Sequence, residues 1–244
     1  MHRLLTLIRG EFQRMTKYNV TTVSLLVTIL WFLLLYFIED SNLIAMLLPF
    51  VLIIDAAMMS IIFVGAIMFF EKTESTFSTM LVTPVTNKEL ILSKVIANTI
   101  HTTLSSLLIV LVFVLIKDVS VNWFLITLAL LIGVAFHSML GFVFSYHSKD
   151  FTTMLVNIMI YSFVITIPSA LNFFDVLFKG VIWEHILLIS PTQAVIKLIM
   201  AGFGEAIALK YWIALAVLVL GGVFGFFYYV LPKFKDYAVK QSGV

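Results

Sequence analysis

Long apolar runs alternate with short polar breaks along this chain, and six of the runs are long enough to cross a membrane. A span needs about 20 mostly apolar residues. The runs cover 20–38, 43–70, 95–116, 122–144, 152–171 and 211–230. Polar clusters close them: Glu39-Asp40-Ser41-Asn42 after the first, Lys117-Asp118 after the third, and Ser145 to Asp150 after the fourth. The pattern predicts an all-α polytopic membrane protein, one transmembrane domain over 1–244.

Three stretches do not read as spans. In 1–17, Leu4, Leu5, Ile8, Phe12 and Met15 recur at helical spacing, with Arg3, Arg9, Arg14 and Lys17 between them. That predicts an amphipathic helix on the inner leaflet, ahead of a retained first anchor and without a cleavable signal. In 172–210, Asn172, Asp175, Lys179-Gly180, Glu184-His185 and Ser190-Pro191 interrupt every apolar piece. Short interfacial or re-entrant helices on the outer side are expected there, with irregular backbone kept in protein or water. The third stretch, 71–94, reads as a short amphipathic segment, a turn broken by Pro84 and the entry to the third span.

Composition removes the soluble alternative. Hydrophobic residues are 62% of the chain and charged residues 11%, against about 25% charged in soluble domains. With both termini inside, eleven Lys and Arg residues fall on the cytoplasmic side: Arg3, Arg9, Arg14, Lys17, Lys72, Lys88, Lys94, Lys149, Lys233, Lys235 and Lys240. Only Lys117, Lys179, Lys197 and Lys210 fall outside, so the positive-inside rule favours this orientation. Trp31, Trp123, Trp183 and Trp212 then lie toward the outer interface.

Catalytic equipment is missing from the sequence. There is no cysteine, no His-Glu-x-x-His, no G-x-S-x-G and no G-x-x-x-x-G-K-[ST] phosphate loop. No catalytic residue, resident cofactor, metal site or nucleic-acid partner is expected. Three titratable residues sit within spans and are candidates for a substrate pathway: Asp55, His101 and His137. An intramembrane carboxyl usually faces a cavity or a partner, but a hydrogen-bonded packing role explains it equally well. Histidines satisfied by nearby carbonyls are the commoner outcome. Gly221 and Gly225 form G-x-x-x-G in the last span, a pattern for close helix approach.

The segment 71–94, EKTESTFSTMLVTPVTNKELILSK, carries more information than the spans. Phe77, Met80, Leu81 and Val82 form an apolar edge that suits a protein groove. Thr86 and Asn87 are helix-cap candidates with Glu89 in the first turn. Glu71, Lys72, Thr76, Leu81, Thr83, Pro84, Val85, Glu89, Leu90 and Lys94 match a signature of the permease subunit of type-2 ABC exporters, which the segment resembles. Thr73, Ser75 and Ser78 depart from it, standing where the family usually has an acid, a glycine and an acid. Ser190-Pro191-Thr192-Gln193-Ala194-Val195 resembles the family's proline motif before the last span.

The resemblance implies a dimer of permeases, identical or paralogous, above two copies of a separate ATPase that binds ATP and Mg. It implies a bacterial plasma membrane and export of an amphipathic or apolar substrate: a drug, an antimicrobial peptide or a lipid-like molecule. Glu71, Lys72, Thr76, Phe77, Met80, Leu81, Thr83 and Pro84 would then form the ATPase-coupling segment. Competing readings are an ATP-independent channel or secondary transporter using Asp55, and an immunity or scaffold membrane protein.

Overall fold

The computed structural model describes residues 2–117 and 119–239, except the side chains of His2, Ser41, Phe77, Ser78, Leu81 and Val239. Asp118, Lys240 and the Phe77 and Leu81 side chains, invoked above, therefore lie outside what is described. Among the described residues every regular element is helical. Five helices are long and apolar enough to cross a membrane: Asn42–Thr73, Asn87–Lys117, Trp123–Tyr146, Phe151–Phe173 and Leu209–Ala238. They coincide with the second to sixth apolar runs.

In chain order the elements are α1 (His2–Lys17), α2 (Val20–Tyr36), α3 (Ser41–Ile54), α4 (Ser60–Thr73), α5 (Thr76–Leu81), α6 (Asn87–Lys117) and α7 (Trp123–Tyr146). Then follow α8 (Phe151–Tyr161), α9 (Ile167–Phe173), α10 (Val181–Leu187), α11 (Pro191–Gly202), α12 (Leu209–Gly225) and α13 (Leu231–Val239). The first apolar run forms α2, whose 17 residues extend about 25 Å at ~1.5 Å per residue. Alone it falls just short of a ~30 Å hydrocarbon core. Together α1 and α2 form a broken pair bent by 67°.

Three spans contain a turn of π-helix, at Asp55–Met59, Ser162–Thr166 and Phe226–Val230. In the first, Ser60 Oγ donates to Ala56 O at 2.9 Å and to Asp55 O at 3.3 Å. A serine hydroxyl thus attends carbonyls at the point where the α-helical ladder is interrupted.

α11 departs most from expectation. It turns by 109° from α10, as a re-entrant piece should. Yet Ala194, Val195, Ile196, Leu198 and Ile199 are buried, in the same cluster as Ile126, Leu130 and Val134 of α7 and Ala214 and Leu218 of α12. Part of the stretch read as interfacial or re-entrant thus supplies core. Small residues permit this: a Cβ on Gly133 would lie 2.9 Å from Val195, and one on Gly202 would lie 2.2 Å from Ile126. By contrast α10 buries none of its residues.

α1 is helical as predicted, but its apolar stripe is shared between protein and surface. Met15 is buried, and Ile8 and Phe12 pack with Phe63 and Ile67 of α4 and Ala97 of α6. Leu5 remains 60% exposed. Packing on two spans explains why α1 can hold buried charge, as described next.

Candidate functional site

The segment singled out by its pattern folds into a compact feature at one end of the bundle. α4 ends at Thr73, and the chain turns through Ser75 into the short helix α5. Ser75 has φ 56° and ψ 24°, in the left-handed region. Glycine reaches that region without a Cβ clash and other L-residues do not. The family glycine for which Ser75 stands therefore has a local backbone reason.

α5 closes at Leu81, where Thr83 Oγ1 donates to Met80 O at 2.6 Å. Pro84 follows, and its carbonyl accepts from Arg3 Nη1 at 3.2 Å, so α1 touches the turn. α6 then begins with a reciprocal cap. Thr86 N donates to Glu89 Oε2 at 2.9 Å, and Glu89 N donates to Thr86 Oγ1 at 3.2 Å. This is a capping box, in which two orphan donors are satisfied by one pair of side chains. Of the two cap candidates, Thr86 is the one that caps α6, and Glu89 is its partner.

Behind α5 lies a buried ionic network. Lys94 Nζ donates to Glu71 Oε1 at 2.5 Å and to Glu11 Oε1 and Oε2 at 3.0 and 3.1 Å. Arg14 Nη2 lies 2.5 Å from Glu11 Oε1, and its Nε lies 3.0 Å from Glu71 Oε1. Glu11 and Glu71 are fully buried and Lys94 is 2% exposed. Two carboxylates face two cations, so the cluster is neutral, the condition under which buried charge is tolerated. Burial works against the Arg14 charge, but Glu11 and Glu71 outweigh it and hold the guanidinium above its ordinary value. The network joins α1, the end of α4 and the start of α6.

A second tie reinforces the first. Glu74 Oε2 accepts from Lys17 Nζ at 2.5 Å and from Tyr18 OH at 2.8 Å. Those bonds hold Glu74 below its ordinary value, while burial and the same carboxylate push the Tyr18 hydroxyl up.

The other predicted coupling residues separate into two groups. Lys72 Nζ sits 5.4 Å from the centre of the Tyr237 ring. Met80, expected on an exposed edge, is partly buried against the cluster of Phe142, Phe226 and Phe234. Val82 keeps that edge, 84% exposed at the end of α5. Thr83 and Pro84 are exposed, and Thr76 is half-buried.

The three pathway candidates each have different partners. Asp55 is buried in the first π turn and accepts from Ser106 Oγ at 2.8 Å. His137 is fully buried; its Nδ1 lies 2.8 Å from Gly133 O and its Nε2 lies 3.3 Å from Tyr161 OH. His101 packs edge-on to Phe63, ring centres 6.1 Å apart. Among the described residues no group of three His, Cys, Asp or Glu could hold a metal ion. Glu11 escaped sequence reading altogether, and Arg14 was read only as a cation of the amphipathic helix, not as a partner of buried acids. Their only signal was an acid and a base three residues apart within an amphipathic helix.

A family model described as ABC-2 type transporter matches residues 2–204. No curated protein and no solved structure matches the chain.

Proposed function

The chain belongs to the ABC-2 type transporter family, a multi-pass membrane permease rather than a catalyst, and from that premise we propose that it is the permease subunit of an ATP-driven exporter. A separate ATPase subunit, present in two copies and binding ATP and Mg, seats α5 in a groove. A second permease, identical or paralogous, completes the pathway.

One observation carries this reading: the neutral network of Glu11, Arg14, Glu71 and Lys94 fastens three helices around the root of α5. Motion of the ATPase pushes α5. Because α4 and α6 are joined through buried, directional ion pairs, the push reaches the second and third spans together instead of dissipating in a loop. α1 moves with them through Glu11 and Arg14. Both flanking spans thus respond to one contact, as alternating access requires. The cargo is amphipathic or apolar, in keeping with an outer face built from short helices and no large domain between spans.

The test is recovery of the partner. Detergent-solubilised protein is isolated from its native membranes, wild type beside Val82→Asp. An ATP-hydrolysing subunit is expected with wild type and is lost with the variant, since a carboxylate on the exposed apolar edge cannot enter an apolar groove. Recovery of no ATPase, or equal recovery with both proteins, would sink the proposal.

A further inference from the structure

An apolar groove runs along the seam between α7 and α12 and ends at a cationic pocket. The groove has a volume of about 200 Å³ and is walled by Phe136, Met139, Val143, Gly222, Gly225 and Tyr229 among others. Gly222 is in tight contact, since an added Cβ would lie 2.9 Å from Met139. Gly225 is different: an added Cβ would meet nothing within 4 Å. Of the two glycines of the G-x-x-x-G pattern, Gly221 would bring an added Cβ to 3.3 Å from Phe136, whereas Gly225 leaves open space.

The open end leads to the last π turn, Phe226–Val230. There Tyr229 stacks on His147, with ring centres 6.0 Å apart, and its hydroxyl lies 2.9 Å from His147 Nε2. Lys233 Nζ donates to the same hydroxyl at 2.8 Å. Beyond this pair lies a pocket of about 390 Å³ lined by Lys72, His147, Ser148, Lys233 and Asp236 with two tyrosines. Among the described residues neither Lys72 nor Lys233 forms an ion pair with a carboxylate. Asp236 in the pocket and the field of Asp150 at Lys72 offset the positive charge in part.

The geometry points to a binding site for one anionic glycerophospholipid of the cytoplasmic leaflet. One acyl chain lies in the groove past Gly225, and the phosphate meets Lys233, with Lys72 and Ser148 around it. Charge complementarity selects this occupant. The pocket carries two lysines at the inner end of the last span, where the leaflet is anionic. The groove is almost wholly apolar and offers no polar partner that a polar cargo would need. The lipid would brace α13 against α7, beside the cluster that includes Phe234 and packs Met80 of α5. This site goes beyond the exporter reading.

The experiment is native mass spectrometry of the full-length protein, delipidated in detergent and then incubated with phosphatidylglycerol or phosphatidylcholine. Wild type is expected to retain phosphatidylglycerol in preference. Lys233→Gln removes one cation and is expected to lower retention about fivefold. Gly225→Leu puts a side chain into the groove at a position where an added Cβ meets nothing within 4 Å, and is expected to lower it similarly, with the oligomeric state unchanged. Equal retention of the two lipids, or undiminished retention in both variants, overturns the proposal. Loss with Lys233→Gln alone, matched by competition from inorganic phosphate, would make the pocket a free-anion site instead. Loss with Gly225→Leu alone would leave a chain slot without headgroup selection. A dimer lost in Gly225→Leu, with lipid retention intact, would assign the groove to a second copy of this chain.

Discussion

Glu71 Oε1 and Lys94 Nζ stand 2.5 Å apart, buried, across 23 residues that hold the whole of α5 and both of its turns. The pair closes a loop whose ends are the last turn of one span and the entry of the next. Loss of Lys94 leaves two buried carboxylates, Glu11 and Glu71, to share the one cation Arg14 in a place water does not reach. Lys94→Met is therefore expected to destabilise the protein by about 3–5 kcal/mol, the usual cost of orphaning one partner of a buried pair. A thermal unfolding midpoint in detergent close to that of wild type would count against the network. The double variant Glu71→Gln/Lys94→Met should recover part of the loss, because it leaves no orphaned charge at that pair.

Ser75 invites the opposite kind of change. Its left-handed backbone costs a residue with a Cβ roughly 1 kcal/mol, and glycine removes that cost while adding freedom to the unfolded chain. Ser75→Gly is expected to be neutral or slightly stabilising, and Ser75→Val distinctly destabilising. Unfolding midpoints of the two variants in one detergent settle the order. A Val variant as stable as the Gly variant would mean that the α4–α5 turn is not held as described.

Much of this end of the molecule was legible in the sequence, for local reasons. Thr86 and Glu89 are three residues apart, so a capping box needs no tertiary knowledge. Pro84 ends α5 by its own stereochemistry. Glu71 and Lys94 were legible as members of a motif, but not as partners. Glu11 was not legible at all, because its contact with Lys94 spans 83 residues and depends on how α1 folds back over α4 and α6. The π turns left no trace either: the apolar pattern of Asp55–Met59 is the same whether a turn holds one residue more or fewer. The burial of α11 was not legible, since polar breaks surround it. Its burial comes from the space that Gly133 and Gly202 leave for Val195 and Ile126, a property of pairs of helices rather than of one.

Close approach of helices makes a further prediction. A Cβ on Gly141 would lie 2.8 Å from Val64 and 2.9 Å from the carbonyl oxygen of Ile61, which is backbone and cannot rotate away. Gly141→Ala should therefore push α4 and α7 apart and cost about 1–3 kcal/mol, as overpacking does. Gly225→Ala meets open space and should gain up to about 1 kcal/mol from helix propensity alone. The pair is informative together, since the substitution is identical and only the surroundings differ. Midpoints that shift in the same direction would overturn the packing assigned to α4 and α7.

Acid should loosen the second tie between α1 and α4. Hydrogen bonds from Lys17 and Tyr18 hold the Glu74 carboxyl below its ordinary value of 4.5. A group depressed in the folded state contributes its stabilisation above the unfolded value and loses it as pH falls through the lower, folded one. The contribution is thus complete at neutral pH and fades only below 4.5. Glu74 is solvent-exposed, so the effect is a local loosening rather than global unfolding. Amide hydrogen exchange, corrected for its intrinsic pH dependence, is expected to rise at Lys17, Tyr18 and Ser75 in that acid range. In Glu74→Gln the same amides should already be less protected at neutral pH, with no further acid step. An acid step that survives the substitution would assign the titration to another carboxylate and remove Glu74 from the tie.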